Sequence, residues 1–182
     1  MKLSIPRMVL GISAAFAPAA ANASIQINIR QDPGQVIAFT LGGDIGVFGL
    51  FDAGTATLTP GVTASDAYLG LGGGGTFHGY NGFSGPGEFG VGSLVAPTST
   101  SGTPFAISGY YSGVPSPVLW LPEGFSSGPI NATATWVGQS FSSLGLTPGF
   151  YRFPAGHDSD FIDVDIYTRY SVLGVPEPAT WR

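Results

Sequence analysis

Cysteine is absent from the 182 residues. Disulfide staples and thiolate metal sites are therefore both excluded. Lysine occurs once, at Lys2, and from Ser24 onward four arginines face eleven acids. Binding to nucleic acid needs clustered Lys or Arg against phosphate, so that partner class is excluded as well. Charge of either sign is scarce, at 9% of residues. After residue 23, Gly and polar residues break every apolar run well short of the ~20 residues that cross a bilayer as a helix. No window carries an apolar stripe at i, i+3, i+4 and i+7. What remains is rich in glycine (29), proline (15) and aromatic residues (13%). Such a composition suits short strands joined by turns.

The first 23 residues read as an export leader. Lys2 and Arg7 supply a basic start, MVLGISAAFAPAAA (8–21) an apolar centre, and Ala21-Asn22-Ala23 a small–x–small cleavage signature before Ser24. The chain is therefore expected to be a signal-peptidase substrate. The product would be exported and periplasmic, cell-surface or extracellular. The predicted organisation is a leader at 1–23, one domain at 24–173 and a tail at 174–182.

Alternation organises the domain. In SIQINIR (24–30), Ile25, Ile27 and Ile29 share one face and Gln26, Asn28 and Arg30 the other, the period of a half-buried strand. QDPGQ (31–35) is a turn, and VIAFTL (36–41) follows as the hairpin partner. Short runs such as TATLT, PFAIS, PVLWL, TATWV and FYRF repeat the pattern between Gly/Pro/Ser breaks. FIDVDIYTRY (161–170) puts Ile162, Val164 and Ile166 on one face, leaving Asp163 and Asp165 on a wet one. The expected fold is all-β: a single-domain antiparallel β-sandwich, jelly-roll-like. Its expected core includes Ile25, Ile27, Ile29, Val36, Leu41, Trp136, Ile162, Val164 and Ile166.

Several stretches imitate chemical motifs. GLGGGG (70–75) satisfies G-x-G-x-x-G, but TFHGYNGF follows it and a dinucleotide site needs a helix there. GFSSG (124–128) satisfies G-x-S-x-G, but Pro122 and Pro129 bracket it and no helix follows. His157 and its neighbour Asp158 come in the wrong order for a hydrolase triad. Asp158, Asp160, Asp163 and Asp165 offer oxygens to Ca²⁺. Strand alternation divides them between faces, so a solvated strand face is expected and no metal site. No catalytic residue and no cofactor are assigned. His78, Tyr80 and Phe83, in the aromatic TFHGYNGF stretch, are a candidate surface for stacking a sugar.

Two stretches carry a family resemblance. VPEPATW (175–181), with Val175, Pro176, Glu177 and Pro178, resembles the start of the PEP-CTERM sorting signal of exported proteins in Gram-negative bacteria that possess an exosortase. TATWVGQSFSSLGLTPGFYRF (133–153) is similar to a segment that precedes this signal in one group of such proteins. The family's signal continues into an apolar helix and an arginine-rich end, and neither follows Pro178 in this sequence. The resemblance implies processing by exosortase only where the full tail is present. It also implies a non-enzymatic cell-surface or matrix role in envelope, exopolysaccharide and biofilm biology. Exopolysaccharide is then a candidate partner, and a carbohydrate-binding, lectin-like module is the alternative.

Overall fold

The alternation at 24–30 builds the first strand. In the computed structural model, which describes residues 24–47, 49–111, 114–155 and 160–169, β1 (Ser24–Asp32) buries Ile25, Ile27 and Ile29. Pro33 and Gly34 then turn the chain, with Gly34 at φ +77°, a backbone shape that suits glycine. β2 (Gln35–Thr40) returns antiparallel to β1, from Asp32 opposite Gln35 to Ile27 opposite Thr40. The leader (1–23) and the tail, with Ala21, Ala23 and Val175 to Pro178, lie outside the described residues.

The remaining strands are β3 (Asp44–Gly46), β4 (Phe51–Leu58), β5 (Gly61–Thr63), β6 (Tyr68–Leu71), β7 (Gly75–Asn81), β8 (Ser99–Gly102) and β9 (Phe105–Tyr111). They continue with β10 (Val114–Pro122), β11 (Ser127–Pro129), β12 (Ala132–Val137), β13 (Gly149–Pro154) and β14 (Phe161–Thr168). Two six-stranded sheets form, ordered β13-β14-β1-β2-β12-β8 and β4-β7-β10-β9-β6-β5, and β3 pairs with β11 separately. The fold is an all-β sandwich, as the composition implied. Pairing is antiparallel except between β1 and β14, which run parallel in register from Ser24 opposite Phe161 to Gln31 opposite Thr168. Nearly the whole domain separates these two strands, so the parallel pair needs no crossover helix.

Both sheets turn one face inward. Ile25, Ile27, Ile29, Val36, Trp136, Ile162, Val164 and Ile166 from the first sheet join Leu69, Leu71, Phe105, Ile107, Leu119 and Leu121 from the second. Leu41 does not join them: it is 60% exposed. The cause is parity. Val36 and Ala38 point inward, five residues is an odd step from Val36, and β2 ends at Thr40. Thr40 keeps the inward parity, and its hydroxyl donates to Ile130 O and accepts from Ala132 N.

A smaller apolar cluster lies on the outer face of the second sheet, where Phe77, Ala106, Val118 and Trp120 are buried with Tyr68, Leu58 and Ala56 beside them. Gly79 makes this possible. A Cβ there would meet the Trp120 ring at 2.7 Å, so only glycine lets the indole lie across its neighbouring strand.

The SLGLTPG stretch contains the end of one helical turn, α1 (Phe141–Leu144). Ser140 caps it with its side chain, and the Phe141 N–H donates to Gln31 Oε1 at 2.6 Å. Gly145 closes it at φ +69°, where a Cβ would meet Val91 O at 1.9 Å. The long connection 82–98 needs that close approach. It is stitched to the sandwich by bridges Phe83–Ala155, Gly90–Leu146 and Val62–Val95, and Trp136 Nε1 donates to Val95 O. Phe89 at its centre is fully buried, edge-on to Tyr151 and Phe153.

Two outcomes follow from this packing. Val164→Asp would forfeit roughly 1.5–3 kcal/mol of apolar burial and strand a carboxylate without a partner, which costs more. Domains of this kind hold only ~5–15 kcal/mol in total, so the variant is expected to lose its cooperative melting transition. The second outcome concerns alkali. Burial pushes the Tyr68 hydroxyl up to about 12, and that hydroxyl donates to Thr59 O. Below pH ~10 folded and unfolded chains both hold the proton; between pH ~10 and ~12 the unfolded chain releases it first. Stability should therefore fall with rising pH across that window, with Tyr151, also raised by burial and by Glu88, adding in the same direction. Urea midpoints should decline less steeply for Tyr68→Phe, at a uniform loss of about 1 kcal/mol for the missing bond. An unchanged slope would remove Tyr68 from the explanation.

Candidate functional site

The outer face of the first sheet gathers residues that are far apart in the chain. Register places Phe150, Asp165, Asn28, Phe39, Thr133 and Ser101 side by side across six strands. Arg152, Asp163 and Gln26 form a second row, and Tyr167, Arg30, Ile37 and Thr135 a third. Outside β8, each sits one residue away from a position packed in or against the core, so the alternation that buries the isoleucines also sets out this face.

Both of its arginines are paired. Arg152 grips Asp163 with two parallel bonds, Nε to Oδ1 and NH2 to Oδ2, both 2.7 Å. The guanidinium lies over the Phe161 ring at 4.2 Å and near Phe150 at 5.4 Å, positions in which the ring face attracts a cation. Arg30 repeats the arrangement: Nε and NH2 reach Asp32 Oδ2 at 3.1 and 2.7 Å, and the group lies 5.6 Å from the Phe39 ring centre. Hydrogen bonding to its aspartate holds each guanidinium above its ordinary range. Asn28, between the two arginine clusters, is 5% exposed and its Nδ2 has no hydrogen-bond partner.

Asp163 departs from the sequence reading. Its row was expected to be wet, yet the residue is 7% exposed. Antiparallel register sets Arg152 directly opposite it, and the guanidinium with its flanking rings covers the carboxylate. Asp165, one step along, is half-buried. Asp160 lies just before β14, and His157 and Asp158 are outside the described residues. No group of three or more His, Cys, Asp or Glu with metal-holding geometry occurs among the described residues.

The three aromatic candidates separate. His78 and Tyr80 share a face of β7, with ring centres 5.0 Å apart, and His78 Nε2 lies 3.1 Å from Asp52 Oδ1. That face points inward, because His78 and Tyr80 stand opposite the core residues Leu121 and Leu119. Tyr80 packs against the main core. Phe83 is 8% exposed and bridges to Ala155, so it offers no open ring for stacking. Residues 70–75 run from the end of β6 through a turn into β7, and 124–128 lead into β11. Neither starts a helix.

Sequence reasoning passed over Arg30, Asp32, Phe39, Phe150, Arg152 and Phe161. The signal was present in IQINIR, FYRF and FIDVD, whose alternate residues are the outer face; what was missing was the neighbourhood of β14, β1 and β13. Compared with known protein families, curated proteins and solved structures, the chain finds no match.

Asp163→Asn keeps the shape but loses the charge that holds Arg152, so it should lower the melting temperature rather than pass unnoticed. A double-mutant cycle of Asp163→Asn with Arg152→Gln should give a coupling that weakens in high salt. Additive, salt-independent effects would mean that the pair contributes nothing.

Proposed function

We propose that the chain is a non-enzymatic, exported surface or matrix protein of the cell envelope that contacts exopolysaccharide through the outer face of its first sheet. The observation that carries this reading is the combination on that face of ring faces with guanidinium–carboxylate pairs. Phe150, 58% exposed, stands beside Arg152 and Asp163. Sugars present C–H faces that stack on rings and hydroxyl rims that hydrogen-bond to charged groups. The half-exposed Arg152 guanidinium donates to hydroxyls, while its pairing with Asp163 fixes it in place before ligand arrives.

The leader and the Pro-Glu-Pro tail support export, with exosortase a partner only where the sorting signal is complete. The lectin-like alternative uses the same face and differs in selectivity: a lectin would prefer one sugar, whereas a matrix protein would hold many chains weakly.

Co-sedimentation of the exported chain with insoluble bacterial polysaccharide tests the reading. Retention should be saturable and competed by soluble polymer. Phe150→Ala should weaken it roughly 2–10-fold, the equivalent of one aromatic contact worth ~0.5–1.5 kcal/mol, without moving the melting temperature. A glycan array then separates the two forms, by one preferred sugar against broad weak binding. No saturable retention on any polysaccharide would overturn both.

A further inference from the structure

Beside the outer face, at the tip of the β1–β2 hairpin, lies a cleft of about 380 Å³. Its walls come from three places: Gln31, Asp32, Pro33 and Gly34 from the hairpin; Gly138, Gln139 and Ser140 from the approach to α1; and Thr168 and Arg169 from the end of β14. The volume is at the small end of ligand cavities, typically ~300–1,000 Å³, with room for a single sugar ring. Gly34 and Gly138 form its lips. The Gly138 N–H donates to Gly34 O at 2.8 Å, and a Cβ on either residue would meet nothing within 4 Å. The backbone therefore fixes the opening without closing it.

The polar inventory of this cleft is unbalanced. Asp32 spends Oδ2 on Arg30, but its Oδ1, shielded from water, has no hydrogen-bond partner. A carboxylate oxygen in that condition costs free energy until a donor reaches it. Arg169 is exposed, and its backbone N–H is bound to Gln31 O. No ion pair engages its guanidinium among the described residues, whereas Arg30 and Arg152 are both paired. Thr168 adds a hydroxyl and Gln139 its amide group. The cleft thus combines, among the described residues, a guanidinium without an ion pair and neutral groups suited to hydroxyls, over a shielded carboxylate oxygen that has no donor.

We propose that this cleft binds one acidic sugar unit, a uronate, with Arg169 taking the carboxylate and the Thr168 hydroxyl and Gln139 amide meeting the ring hydroxyls. The assignment rests on the polysaccharide reading above and narrows it to polymers that carry carboxylated sugars. Arg suits the carboxylate because its planar fork binds both oxygens. A neutral sugar would leave Arg169 without its anion, and a simple carboxylic acid would leave Thr168 and Gln139 without hydroxyl partners, so both should bind less well. The outer face would hold the polymer's length, while the cleft reads one acidic residue along it.

Titration of the ¹⁵N-labelled chain with methyl glucuronide, its neutral methyl ester and methyl glucoside tests the proposal. Methyl glucuronide should shift the amide signals of residues 31, 32, 34, 138–140 and 168–169 and bind more tightly than the two neutral sugars. Arg169→Gln, an exposed change that leaves the fold intact, should weaken the glucuronide roughly 10-fold or more, the cost of a charged hydrogen bond, and abolish the preference over the ester. Phe150→Ala should lower polymer retention and leave glucuronide binding unchanged. Polymer retention without any uronate-dependent shift would overturn the cleft assignment and leave the surface reading standing. Uronate binding that ignores Arg169→Gln would overturn it too. So would nuclear Overhauser contacts between the cleft and Pro176 or Pro178 in the free chain, which would give the cleft to the tail.

Discussion

The parallel pairing of β1 with β14 is the constraint on which the domain depends. It joins the two ends of the folded chain in the middle of one sheet, with β2 bonded on one side and β13 on the other. In-register pairing over eight positions fixes both faces at once. Ile25, Ile27 and Ile29 line up with Ile162, Val164 and Ile166 to form the inner floor, and Asn28 and Arg30 line up with Asp165 and Tyr167 outside. A slip of one residue would turn the isoleucines to water and the aspartates into the core. The six isoleucine and valine side chains therefore specify the polar face as firmly as they specify the core.

That relation explains which parts were legible beforehand. The strands with clean alternation, 24–30 and 161–168, appear where their pattern placed them, and the DPG turn sits between β1 and β2 as its residues demand. Leu41 departs from its expected place in the core because it stands an odd step from Val36, so the strand's alternation turns it outward. Asp163 departs for a different reason. Whether an outward aspartate is wet depends on what stands opposite it, and FYRF lies ten residues away across a connection whose course local sequence does not reveal. Strand phase is a local property; strand neighbourhood is not. The outer face and the cleft are both products of neighbourhood, which is why their residues did not stand out.

Glycine, so abundant in the composition, has positional work in the 82–98 connection and its seat. A connection of this length without strands of its own is unusual in a compact domain. It stays against the sandwich because backbone meets backbone: at Gly145 and Gly90 a Cβ would fall 1.9 and 2.1 Å from a carbonyl oxygen of the opposing segment. The SLGLTPG stretch is therefore a docking seat for this connection. Leu144 and Leu146 sink into the core on either side of the glycine that admits it. A sequence similarity centred on that stretch reflects a packing requirement, and it carries information about fold more directly than about ligand.

The two outer faces of the sandwich differ in how they treat their aromatic residues. On the second sheet, Trp120 folds flat over Gly79 and Phe77 is covered, while Phe51 on the edge strand β4 is 59% exposed. On the first, Phe150 stays exposed, Phe161 and Phe39 are overlaid by guanidinium groups, and those groups are tied to aspartates. Stability alone would favour the first solution, because apolar contacts need no desolvated charge. Arg30, Arg152 and Arg169 instead all belong to the first sheet or its margin, in a chain whose folded domain has almost no other cations to spend. Scarce, rigidly paired charge is thereby concentrated beside Phe150, at some cost to the domain that carries it. This concentration of arginine is the physical ground of the proposal that recognition lies on β13, β14, β1 and β2.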